Sequence, residues 1–340
     1  MKNVRSYLVA QCLFVAVLCC GGNKNANKVY IEPTPVAIEL DRSELEEELE
    51  TQVLENYQQL SLGNVSSYWD SVAENKKISL AGVHPVDLVF GMKESVKTLD
   101  RRLYRNRSPV MLSKNLDRHL TKDQSIGWTY DEVSYRLYVG NKRAAVPIRQ
   151  TLVLARDVDR WVIVSEHQSY AMNIREAQNL AFTKDLLEAK RFKTAIHVSK
   201  NDSKDVLALV SKAHNGGLAL EDISNSPEAK TLVLWPGPLN EFWGEEILSA
   251  PGLAEQLDQD VTIKIKDVYL NQSKSKNQVW GIINLVAIAS KGANSYQLGL
   301  RGSYFFERKG QGAKWKLMQA HIAIPVEEHL LSKILFGDIK

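Results

Sequence analysis

The chain has 340 residues, 44% of them apolar and 24% charged, with 43 Lys and Arg against 40 Asp and Glu. This is the composition of an ordinary globular protein, long enough for two cores. A formal charge of +3 with no block of basic residues excludes the electrostatic footprint of a nucleic-acid binder.

The N-terminus reads as a processing signal. Lys2 and Arg5 precede an apolar run from Tyr7 to Leu18, broken only by Gln11 and too short to span a bilayer as a helix. Val17-Leu18-Cys19-Cys20-Gly21-Gly22 follows. This resembles a bacterial lipoprotein signal, in which residues 1–19 are removed and Cys20 is lipidated. Cys19 is the alternative acceptor, and a plain secretory signal the alternative processing. The resemblance implies a membrane partner through the lipid anchor. With Gly21 rather than Asp after the cysteine, it favours the outer membrane, facing the periplasm. Cys12, Cys19 and Cys20 are the only cysteines, so the folded part has no disulfide, thiolate metal site or cysteine nucleophile. Residues 20–42 are polar and rich in Asn and Lys, as befits a tether.

A helix is expected from Ser43 to about Leu62. Ser43 and Glu46 would form its capping box, Leu45, Leu49, Val53, Tyr57 and Leu60 its apolar face, and Gly63 its stop. A short helix from Ser66 to Ala73 and a strand at Ile78–Ala81 follow. Pro85 suits the first position of a helix running to about Arg105. Strands are then expected at 109–120, 124–139, 143–156 and 160–171, with turns at Gly140-Asn141 and Asp157-Val158-Asp159. Residues 173–193 read as a helix that closes the first domain or connects it to the second, with 173–204 taken as connecting helix and linker.

The order recurs. A helix at Ser203–His214, a strand at Thr231–Trp235 and a helix-like stretch after Pro238 precede strands at 260–270, 276–290, 294–308 and 314–324. Turns fall at Lys291-Gly292 and Gly310-Gln311-Gly312, and a closing helix at Glu327–Phe336. Trp161 is followed six residues later by His167, and Trp315 by His321. Arg149–Arg156 and Arg301–Arg308 share the pattern Arg, any residue, hydroxyl, three apolar residues, any residue, Arg. The pairs Pro85/Pro238, Trp161/Trp315 and Arg149/Arg301 lie 153, 154 and 152 residues apart. Near-constant offsets imply tandem copies of one domain, at 43–172 and 205–325, with 326–340 as a C-terminal segment. Helices followed by a run of antiparallel strands imply an α+β class.

Helices, a Pro…Gly segment and long strands ending in Arg-x-[Ser/Thr]-apolar and Trp-x5-His resemble the SnoaL-like branch of the nuclear transport factor 2 superfamily. That superfamily also contains ketosteroid isomerase and scytalone dehydratase. The resemblance implies two cone-shaped α+β domains, each with N-terminal helices packed on a curved antiparallel sheet. It leaves function open, because such folds serve enzymes, ligand binders and assembly modules alike.

A three-residue loop at 157–159 would set Arg149 opposite His167, and a five-residue loop at 309–313 would set Arg301 opposite His321. On a cavity wall, Arg would hold an anionic group and His would donate or exchange a proton. The same residues could instead be structural, bonding neighbouring strands or an interface. Trp128 and Tyr130, with Trp69 and Tyr104, could line the first cavity and bind a flat apolar ligand, and Trp235, Trp243 and Trp280 the second. Of the acids, Asp70 and Glu132 are candidates for a base, whereas Asp87 and Glu241 would sit in first turns of helices, where the dipole alone favours an acid.

No P-loop, Gly-x-Ser-x-Gly, dinucleotide-binding glycine pattern or His-x-x-x-His spacing occurs, so no cofactor or metal is expected. The expected protein is a non-catalytic lipoprotein binding a small ligand or a partner protein. Its two sheets could pair as a pseudo-dimer within one chain. The alternative is a cyclase, isomerase or dehydratase using His167 with Asp70 or Glu132.

Overall fold

Helix α1 (Arg42–Ser61) opens the described chain of the computed structural model. The described residues are 41–73, 77–91, 110–139, 142–172, 191–253, 260–291, 294–327 and 330. The capping box lies two residues before the expected one. Asp41 Oδ1 accepts from Glu44 N at 2.9 Å, and the Glu44 carboxylate accepts from Asp41 N at 3.0 Å. Leu45, Leu49, Val53, Tyr57 and Leu60 are buried along one face, joined by Asn56. Gly63, at φ 73°, ends the helix in the left-handed region that glycine tolerates. A second helix, α2 (Val65–Asp70), is capped by Asn64.

Six strands follow: β1 (Ser79–Ala81), β2 (Leu88–Phe90), β3 (Val110–Leu120), β4 (Ile126–Val139), β5 (Lys142–Asp157) and β6 (Arg160–Tyr170). They form one sheet in the order β2-β1-β6-β5-β4-β3. The second half begins with β7 (Ala195–Ile196), α3 (Lys200–His214) and a 3-10 turn (Leu220–Asp222). The small hairpin β8 (Asn225–Ser226) and β9 (Ala229–Lys230), then β10 (Leu232–Leu234), β11 (Glu241–Trp243) and α4 (Glu246–Ser249), lead to four long strands. These are β12 (Asp260–Gln272), β13 (Gln278–Lys291), β14 (Asn294–Glu307) and β15 (Lys316–Ala323). The second sheet runs β11-β10-β15-β14-β13-β12-β7, repeating the first order with one added edge strand. Even the bulges recur, at Ser113/Asn115 and Ile265/Asp267, and at Val153/Leu154 and Phe305/Phe306. The class is α+β.

Three expectations are corrected. Pro85 does not open a helix. His84–Asp87 form a turn, with Asp87 N donating to His84 O, and Leu88-Val89-Phe90 pair with β1 as a strand. The stretch after Pro238 behaves likewise, giving β11 paired with β10. Asp87 and Glu241 therefore precede or begin strands, and no helix dipole holds them. β-branched and aromatic residues beside a waiting strand edge outweigh the proline signal.

The third concerns register. The β5–β6 turn has two central residues, Val158 and Asp159, and Val164 bulges from β6. Arg149 is opposite Ser169, and His167 is opposite Thr151. In the second sheet Arg301 is opposite Ala323 and His321 opposite Ser303, with Met318 bulged. Each one-residue slip flips a strand's faces, and two slips restore them. Arg149 and His167 thus keep a common face, on a diagonal.

The described residues belong to one compact unit. The expected signal segment, the tether, Cys20 and Tyr104 lie outside the described residues. So do the helix expected beyond Gly91, all of the one at 327–336 but Glu327 and Leu330, and all but the last three residues of the one at 173–193. Among the described residues, no helix is long and apolar enough to cross a membrane.

Candidate functional site

The first sheet has two faces of different chemistry. Alternation along β4, β5 and β6 puts Trp128, Tyr130, Glu132, Arg149, Thr151, His167 and Ser169 on one face, and this face meets the second half of the chain. The His167 and His321 rings lie 4.1 Å apart between the two sheets. His167 Nδ1 bonds Ser303 Oγ at 3.1 Å, while His321 bonds Thr151 Oγ1 at 3.0 Å and Ser169 Oγ at 2.7 Å. Burial lowers the His167 pKa to about 3, with Arg301 adding to the effect, and holds His321 well below the ordinary range. Both imidazoles are neutral packing groups at physiological pH.

The arginines cross in the same way. Arg149 donates to the carbonyls of Trp235 and Pro238, each at 2.8 Å. Arg301 donates to those of His84 at 3.3 Å and Pro85 at 2.8 Å. Tyr130 donates to Glu241 at 2.7 Å, and Trp128 stacks on His119 at 4.2 Å with Trp243 beyond. The structure therefore brings Arg149, His167, Arg301 and His321 together, but between the sheets and bonded to protein groups. Trp128 and Tyr130 flank them on the same face. Asp70 ends α2, away from this face, and Glu132 lies opposite Arg149.

The other face lies under α1 and α2. It carries Asp131, Gln150, Glu166 and Gln168, all buried. Asp131 accepts from the Asn115 amide at 3.1 Å. Glu166 accepts from the Tyr68 hydroxyl at 2.5 Å and from Gln168 Nε2 at 2.6 Å. The Tyr57 hydroxyl, brought in by α1, lies beside Asp131 without closing a hydrogen bond of good geometry. Burial raises the Asp131 pKa against the pull of its hydrogen-bond donors. Burial, then Asp131 and Glu166, holds Tyr57 protonated far above its usual range. Asp131 Oδ2, Gln150 Oε1, the Tyr57 hydroxyl and, on the same helices, Asn56 Nδ2 and Trp69 Nε1 are buried without a hydrogen-bond partner. Each such atom costs about 1–3 kcal/mol if nothing fills its valence.

The second sheet carries different residues at the matching positions. The paired registers align Asp131 with Ile283, Gln150 with Gly302, Glu166 with Ala320 and Gln168 with Ile322. Each of these four polar side chains is replaced by an apolar residue or glycine. The Tyr304 ring packs over Gly302, where a Cβ would collide with it, and its hydroxyl bonds His214 Nε2 at 2.6 Å. In the first half Leu152 stands where Tyr304 does in the second.

Reading the sequence for site residues singled out Glu132 and His167 and passed over Asp131 and Glu166, each one residue earlier and on the opposite face. The usable signal was the repeat itself. Aligning the halves by their Trp-x5-His strands sets Glu166 against Ala320 and Gln168 against Ile322. Among the described residues no three His, Cys, Asp or Glu side chains are grouped to hold a metal ion. A buried carboxyl of raised pKa beside phenols can bind a hydrogen-bonding ligand or move a proton.

Residues 47–173 match the model of the SnoaL-like domain. Comparison with curated proteins finds no match. Among solved structures, a proposed dehydratase of the NTF2-like family from Streptomyces avermitilis is 13% identical, covering 39% of this chain and 99% of that one at a TM-score of 0.35. An NTF2-like protein of unknown function from Shewanella oneidensis is 14% identical, covering 36% and 97% at a TM-score of 0.29. An NTF2-like protein with a cystatin-like fold from Novosphingobium aromaticivorans is 11% identical, covering 38% and 82% at a TM-score of 0.32. Residues 47–173, within which the buried polar cluster lies, form a SnoaL-like domain.

Proposed function

We propose that the protein is a lipid-anchored envelope lipoprotein whose first domain binds a small hydrogen-bonding ligand under α1. Its second domain is a tandem copy that serves as scaffold. The observation that carries this reading is the replacement of Asp131, Gln150, Glu166 and Gln168 by Ile283, Gly302, Ala320 and Ile322 at matching positions. A buried polar row that the fold does without in one copy is a cost in the other unless a ligand completes it. Two buried carboxylates disfavour an anion there. A neutral or cationic ligand that donates to Asp131 Oδ2 and Gln150 Oε1 fits.

The two sheet faces bearing His167 and His321 act as an internal pseudo-dimer interface, with Arg149 and Arg301 as reciprocal clasps. Cys20 anchors the chain to the outer membrane, and the domains face the periplasm. Native mass spectrometry of the protein purified gently from the envelope tests the ligand. A retained small molecule, absent from Asp131→Ile/Gln168→Ile, is expected. Clean apo protein, or retention unchanged in the variant, would refute it.

A second reading, proton-transfer catalysis of the isomerase or dehydratase kind, draws on the raised Asp131 pKa beside the protonated Tyr57. Under that reading Asp131→Asn keeps the ligand and abolishes its turnover.

A further inference from the structure

A cavity lies apart from the cluster under α1. It has a volume of about 860 Å³ and opens where the start of α1 and the β3–β4 turn meet the β8–β9 hairpin and the β14–β15 turn. Arg42, Lys122, Arg308, Lys309, Lys314 and Lys316 line it, against Glu221, Glu228 and Glu307. Its walls are tied together across the two halves. Arg42 donates to the Leu120 carbonyl at 2.9 Å and the Glu228 carbonyl at 3.3 Å, and the Lys122 amide donates to Glu307 at 3.0 Å.

The cations divide into two groups. Arg308 is committed to Asp202, Arg42 to Glu46, and Lys314 to Glu221. Lys316 bonds only the Ile223 carbonyl. Lys122, from the first half, and Lys309, from the second, are exposed, and their ammonium groups close no hydrogen bond or short ion pair with a described residue, although the Lys122 charge also acts on Glu307. The available donors are thus ammonium groups, while both guanidinium forks are occupied. Ammonium groups are point charges that suit a tetrahedral dianion approached from several sides; a planar carboxylate would call for a free arginine fork.

The turn that lines the cleft differs from its counterpart in the first sheet. The β5–β6 turn is two residues, Val158 and Asp159, flanked by Asp157 and Arg160, whereas Arg308–Trp315 separate β14 from β15 with three lysines and arginines among them. The basic turn is an addition that the sheet does not need. We propose that this cleft binds a phosphate-bearing ligand that bridges Lys122 and Lys309.

The test is isothermal titration of the full-length protein with inorganic tripolyphosphate. A parallel arm measures co-flotation with phosphatidylcholine vesicles with and without phosphatidylglycerol. The variants are Lys122→Glu/Lys309→Glu and, as a control of equal charge change elsewhere, Lys264→Glu/Lys266→Glu on exposed positions of β12. Binding in either arm that weakens at least about tenfold in the first variant and much less in the control is expected. The responding arm tells a soluble phosphate from a lipid headgroup. Far-UV circular dichroism matching the wild type in both variants ties the loss to the site. No binding in either arm, or equal weakening in both variants, overturns the proposal.

Discussion

Replacing Arg149 by Met removes two charge-assisted hydrogen bonds, to the carbonyls of Trp235 and Pro238 at 2.8 Å each. A bond to a charged group is worth about 1.5–3 kcal/mol net, so the pair accounts for roughly 3–6 kcal/mol. Against this, Arg149 Nε is itself buried without a partner, and its removal returns about 1–3 kcal/mol. The expected loss is about 2–4 kcal/mol of unfolding free energy. Arg301→Met should cost a similar amount, because it makes the same kind of bonds in the opposite sense. Urea unfolding followed by tryptophan fluorescence and far-UV circular dichroism measures both. Because the bonds join the two halves, the two probes should cease to coincide in the variants, one half losing structure before the other. A loss below about 1 kcal/mol with coincident transitions would refute the clasp role.

Tyr68→Phe leaves Glu166 short of a buried donor and should destabilise by about 1–3 kcal/mol in the same assay, whereas Tyr68→Leu should cost more through the added cavity. His167, His214 and His119 have folded-state pKa values lowered to about 3, 3 and 4 by burial. The unfolded state therefore takes up their protons first, from about pH 6.5 downward, and stability falls by about 1.4 kcal/mol per pH unit per group until the folded pKa is reached. His167→Gln should flatten that slope by one such increment between about pH 6 and pH 4. An unchanged slope would mean that His167 is charged in the fold. Metabolic labelling with an alkyne fatty acid should mark the wild type and not Cys20→Ala; labelling that persists would move the anchor to Cys19 or remove it from the account.

Much of the architecture was written in the sequence, for a specific reason. Long amphipathic strands, the apolar stripe of α1 from Leu45 to Leu60 and the constant offsets between Arg149 and Arg301 are period signals, and periodicity survives tertiary context. Pro85 and Pro238 misled because a proline starts a turn as readily as a helix, and the choice was made by β1 and β10, far away in the chain. Register was out of reach because the Val164 and Met318 bulges leave no compositional mark.

The site was harder still. His167 stood out because it recurs as His321, but what recurs between two copies is what both need, and both need the shared interface. The residues that make the first copy different, Asp131, Gln150, Glu166 and Gln168, show themselves only as departures from the repeat.

That contrast sets the most direct measurement: the amount of ligand retained on native mass spectrometry by two variants purified side by side. Asp131→Ile/Gln168→Ile alters the interior under α1, and Arg149→Met alters the face between the sheets. The account predicts an empty first variant and a second that is less stable yet still loaded. A loaded first variant and an empty second would contradict it and return the ligand to the Arg149 and His167 face.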